Sequence, residues 1–166
     1  MSILKSLADA AEPWASLYKH SKPVQIGVMY AHLGALVVGG GLAVAKDREV
    51  IRAVRDGTAG PALITFERAV IHRTVIGALA LLALSGLALL AADLETYVVS
   101  PVYWSKMTLV ALLLANGAWM LRIENRLAAD PRPAHAAWGT LRTSSRASAA
   151  LWLSIVLLGV WLENAA

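Results

Sequence analysis

The chain has no cysteine. That absence excludes disulfides, thiolate nucleophiles, iron–sulfur clusters, Cys-based zinc sites and covalent c-type haem attachment, leaving His, Lys, Met and carboxylates as metal ligands. Charge is scarce too, at 16% of 166 residues against 58% apolar ones. A soluble domain of this length needs more polar surface, so soluble enzyme classes drop out and lipid is the expected solvent for most of the chain. Acidic residues are the scarcer sign, 11 against 15 Lys and Arg. The arginines sit beside apolar blocks, where they read as a topology signal, and nucleic-acid binding is not expected.

Four spans can be read directly. Val24 to Ala45 is interrupted only by Gln25 and His32, and Thr74 to Ala92 only by Thr74 itself and Ser85. Met107 to Leu121 reaches bilayer length when extended back through Lys106 to Val102, and the last block, Ala147 to Leu162, borrows a turn from Thr143–Arg146. The expected spans are therefore about 24–45, 74–92, 102–121 and 145–162. The fold class is all-α, an integral-membrane four-helix bundle. Its two parts are an interfacial segment, 1–23, and a four-transmembrane-helix domain, 24–166.

Eleven of the fifteen basic residues lie between spans one and two or between spans three and four. The positive-inside rule then puts both loops in the cytoplasm and both termini outside, and the expected location is a bacterial inner (plasma) membrane. The first apolar run begins only at Val24 and is too long for a signal-peptide core, so it is expected to remain as an anchor. Ahead of it, Ile3, Leu4, Leu7, Ala11, Trp14, Leu17 and Tyr18 recur at helical spacing around Pro13, which suits two short amphipathic pieces on the membrane surface. A short helix is expected around Asp47–Val54, then a turn over Asp56–Pro61 and a helical turn from Ala62 into span two. Asp130-Pro131-Arg132-Pro133 reads as a stiff polar linker.

Gly27, Ala31, Ala35, Gly39 and Ala43 recur every four residues and form a small-residue stripe. Such stripes allow close helix approach in lipid, so this one is the expected contact for a neighbouring helix, a second copy or a membrane partner subunit. The run Gly39-Gly40-Gly41 lies inside a span and lacks the strand-turn-helix context of a phosphate loop.

His32 lies roughly 12 Å below the outer membrane edge at 1.5 Å per residue. An ionisable group at that depth faces the bundle interior and marks a ligand, metal or proton path, unless it is a neutral His bonded to a neighbour such as Asn116 or Tyr30. Lys106, Leu109, Leu113, Asn116 and Met120 share one face of span three, and the Lys106 amine reaches about the His32 level or snorkels up to Asp93 or Glu95. His72 lies about 18 Å deeper than His32 and is expected at the cytoplasmic interface. Neither His20 at the outer surface nor His135 in the second loop is assigned a role.

The stretch Ala31-His32-Leu33-Gly34-Ala35-Leu36-Val37-Val38-Gly39-Gly40 resembles the first helix of the copper-resistance protein D-like membrane domain. Arg73 to Leu87, then Ser100-Pro101-Val102-Tyr103-Trp104-Ser105-Lys106-Met107 and Leu112 to Ala118 with Arg122, resemble that domain's second and third helices. The Trp-x-Lys start of the third helix is also similar to the four-helix HemJ-type protoporphyrinogen oxidases. That resemblance, over about residues 28–122, implies a haem held by a first-helix His and a third-helix Lys, here His32 and Lys106. It makes those two the expected metal ligands, with Gly39, Gly40 and Asn116 lining the pocket.

Three function classes follow. One is a small membrane protein binding haem b as a redox or accessory protein, with the cofactor supplying the chemistry. The second is a noncatalytic scaffold or accessory subunit. The third is copper or small-solute transport, although four Met and four His scattered along the chain make no copper-ligand cluster. No nucleophile–base pair or carboxylate dyad assigns a reaction.

Overall fold

A computed structural model describes residues 3–60, 63, 68–129 and 135–165. Its regular structure is entirely helical among them: α1 (Ile3–His20), α2 (Lys22–Ala35), a π-helical turn (Leu36–Gly40), α3 (Gly41–Arg55), α4 (Arg68–Ala92), α5 (Leu94–Val99), α6 (Pro101–Ala129) and α7 (His135–Ala165). Four helical segments are long and apolar enough to cross a bilayer: Lys22–Arg55, Arg73–Ala92, Pro101–Ala129 and Ala136–Leu162. The chain is thus an integral-membrane protein by the length and composition of its helices.

Three of these helices outrun the apolar spans at one end, the arginine-rich end that carries Arg55, Ala129 and Ala136. The separate helix expected at Asp47–Val54 is instead a continuation of the first span, since the chain stays helical through Arg55. Packing explains the extension. Val50, Ile123, Leu127, Trp138 and Leu141 bury one another there, and Leu141 is wholly enclosed. These apolar residues alternate with arginines: Arg48, Arg52, Arg122, Arg126 and Arg146 stay exposed while the inner face closes, and Arg142, beside Leu141, is partly buried.

The N-terminal segment is a single 18-residue helix through Pro13, where two pieces were expected. Proline removes one intrahelical donor there, but the helix keeps its hold through Trp14, whose Nε1 donates to the Ala88 carbonyl of α4 at 2.8 Å. A second clasp follows. Gln25 Nε2 donates to the Tyr18 carbonyl at 2.8 Å, tying the start of α2 to the end of α1.

The order of packing is a row more than a square. α1 and α2 lie on α4, the π turn continues the contact with α4, α3 then crosses to α7, and α6 runs along α7. Gly39 and Gly40 sit at the crossover. A Cβ on Gly39 would come within 2.7 Å of Ala78 Cβ on α4, and one on Gly40 within 3.1 Å of the Trp152 ring on α7. Only hydrogen at both positions lets one helix touch two neighbours at successive residues. Buried Leu113, Trp152 and Ile155, with Leu36, Leu79, Leu82 and Leu109 against them, form the apolar layer in which all four long helices meet.

Outside this core the helices present apolar side chains outward. Ile26, Tyr30, Val37, Leu84, Leu153 and Val160 are all exposed by half or more, which fits hydrocarbon contact. The turn after α3 uses Gly57 at φ 71°, a left-handed conformation suited to glycine. Beside it the Arg55 Nε donates to Asp56 Oδ1 at 2.8 Å, and that hydrogen bond, with the guanidinium charge, holds the Asp56 carboxyl below the usual range. The expected turn residue Pro61, the helical turn from Ala62 and the Asp130–Pro133 linker lie outside the described residues.

Candidate functional site

One turn beyond the apolar layer, toward the end opposite the arginines, lies a polar layer. His32 is one turn from Leu36, Ser85 follows Leu82, and Lys106 precedes Leu109. His32 Nδ1 and Ser85 Oγ are 2.8 Å apart. Ser85 Oγ also lies 2.6 Å from the Leu81 carbonyl, which can only accept. The serine proton is therefore committed to Leu81, and Ser85 must accept from His32 Nδ1–H. That fixes the tautomer: Nδ1 carries the proton and Nε2 keeps its lone pair.

The surroundings of the ring are small. A Cβ on Gly86 would lie 3.5 Å from His32 Cε1, so the imidazole lies over a glycine on α4. Lys106 has the matching arrangement across the bundle, where a Cβ on Gly159 of α7 would lie 3.5 Å from its Nζ. The Lys106 charge acts on the His32 ring. The neighbour of His32 is Ser85, a residue the sequence marked only as an interruption of span two, and not Asn116 or Tyr30. Tyr30 is 80% exposed.

The remaining expected pocket residues lie on the far side of the apolar layer. Gly39 and Gly40 are occupied by Ala78 and Trp152, and Asn116 Nδ2 donates to the Ser144 carbonyl at 3.0 Å. The small-residue stripe is likewise divided. Ala35 and Gly39 are buried within the chain, whereas Gly27 has no atom within 4 Å of a built Cβ. His72 lies near the start of α4 and His135 begins α7, with both side chains outside the described set. His20 Nδ1 bonds the Ser16 carbonyl at 2.8 Å on its own helix.

A second polar layer escaped the sequence reading. Asp47 on α3, only 3% exposed, has the Ser145 and Ser148 hydroxyls of α7 beside its carboxyl, and Glu124 of α6 acts on it electrostatically. The signal was present as the run Thr143-Ser144-Ser145-Arg146-Ala147-Ser148 at the weak start of span four. No group of three or more His, Asp or Glu side chains with metal-site proximity occurs among the described residues. Comparison with known proteins finds no matching family, no matching curated protein and no matching solved structure.

Proposed function

We propose that the protein is a small integral-membrane haem-b-binding redox or accessory protein, with His32 and Lys106 as the iron ligands. The observation that carries this reading is the His32–Ser85 pair, which leaves the imidazole Nε2 as a free lone pair while Nδ1–H is held. Lys106 supplies a second nitrogen donor within electrostatic range, and Gly86 and Gly159 remove side-chain bulk from both flanks. The donor set fits iron of haem type, which takes nitrogen axial ligands in a largely apolar setting. When bound, the haem supplies one-electron chemistry. The chain's own part is to present Nε2, to hold its orientation through Ser85 and to keep water from the site with Leu36, Leu82 and Leu109.

In this reading the arginine-rich end is cytoplasmic, both termini are outside, α1 lies in the outer interface and the membrane is a bacterial inner membrane. The open Gly27 end of the stripe is where a second copy or partner subunit docks. A second reading, a noncatalytic scaffold, has its own support, because Ser85 alone satisfies His32 as a packed polar residue. The absorption spectrum of protein purified in detergent after expression with ample haem separates them. A Soret band absent from His32→Ala supports the haem reading, and a colourless wild-type protein leaves the scaffold.

A further inference from the structure

The inner polar layer holds two buried polar atoms, one on α3 and one on α7, that find no partner. Asp47 is 3% exposed and Ser145 wholly buried, yet Asp47 Oδ2 and Ser145 Oγ have no hydrogen-bond partner. A serine in a helix has an outlet within its own turn, the carbonyl four residues back. Two hydroxyls on the same helix take it: Thr140 Oγ1 donates to Ala136 and Thr143 Oγ1 to Gly139. Ser145 does not, and lies instead beside the Asp47 carboxyl with Ser148.

Charge points the same way. The charged group that acts on Asp47 is Glu124, of like sign. Lys46, next in sequence, turns away to Glu49 Oε2 at 2.8 Å and the Leu63 carbonyl at 2.9 Å. A buried carboxylate with a second acid acting on it is costly unless something positive joins it, and among the described residues the charge acting on Asp47 is that of Glu124. Along the helices buried Trp152 lies one turn from Ser148 on one side, and buried Val50 and Leu141 lie one turn from Asp47 and Ser145 on the other.

We propose that Asp47, Ser145 and Ser148 form a site for a small monovalent cation of the size of sodium. Carboxylate and hydroxyl oxygens are hard donors that suit such an ion, and one adjacent carboxylate neutralises a single charge. Calcium takes six to eight oxygens with more carboxylate among them, and magnesium demands a near-ideal octahedron, so neither matches this set. The ion would join α3 to α7 at the crossover and is independent of any haem at the opposite end.

The test is thermal unfolding of the purified, detergent-solubilised full chain, with sodium chloride replaced stepwise by choline chloride at constant ionic strength. The expected result is a melting temperature that rises with sodium and saturates, a dependence that Asp47→Asn abolishes. Ser145→Ala and Ser148→Ala, which retain the charge, should each weaken the apparent sodium affinity about tenfold. They serve if Asp47→Asn does not fold. Equal melting temperatures in sodium and choline for the wild type overturn the proposal, as does a sodium dependence that survives in Asp47→Asn or an apparent sodium affinity left unchanged in both serine variants.

Discussion

His32 Nδ1–H donates a hydrogen bond to Ser85 Oγ at 2.8 Å because the Ser85 hydroxyl already donates its own to the Leu81 carbonyl at 2.6 Å. This two-step chain starts from a helix carbonyl and ends by defining which face of an imidazole is basic. It makes α4 the element that orients His32.

Ser85→Ala is therefore expected to act through the histidine. Loss of one partly buried hydrogen bond should cost about 1 kcal/mol of stability, and any haem affinity should fall on the order of tenfold as the ring loses its orientation. Haemin titration of the variant checks this. An unchanged affinity would mean that Ser85 is a packing residue only.

Gly39→Ala and Gly27→Ala form a matched pair. At Gly39 the new methyl meets Ala78 Cβ at 2.7 Å, and both atoms are rooted on backbone, so the helices must part at a cost of about 1–3 kcal/mol. At Gly27 a Cβ meets nothing, and the change should be neutral or slightly stabilising. Thermal unfolding of the two variants measures the difference, and equal stability would contradict the tight crossing of the π turn on α4.

The arginine-rich end is expected in the cytoplasm. Asp56 has a half-exposed side chain at the tip of the first loop there, so Asp56→Cys is accessible to a thiol reagent wherever that loop lies. In intact cells an impermeant maleimide should leave it unlabelled until the membrane is permeabilised. Labelling before that step would invert the topology.

The spans were legible because lipid-facing positions such as Val37, Leu84 and Leu153 keep the apolar runs unbroken. Their ends were not, since Val50, Ile123, Leu127 and Leu141 are spaced among charges and become a core only when α3, α6 and α7 meet. The depths of His32 and Lys106 follow from counting residues along helices of the same direction. The role of Ser85 required the rotation of α4 against α2, which residue spacing does not encode. Asp47 opened the short loop helix expected over Asp47–Val54, and its burial depends on α3 crossing to α7 after the π turn and the two glycines. Pro13 was read as a break by its missing donor, but the helix continues and α1 docks on α4 through Trp14.

The most direct test of a shared iron is a haemin titration followed in the Soret region for wild type, His32→Ala and Lys106→Ala in the same detergent. The account predicts saturable binding by the wild type and none by His32→Ala. For Lys106→Ala it predicts retained binding with a shifted Soret maximum and potential, because His is the stronger ligand and the amine the replaceable sixth. A Lys106→Ala spectrum identical to wild type would remove Lys106 from the iron, and binding that survives the loss of His32 would contradict the central claim.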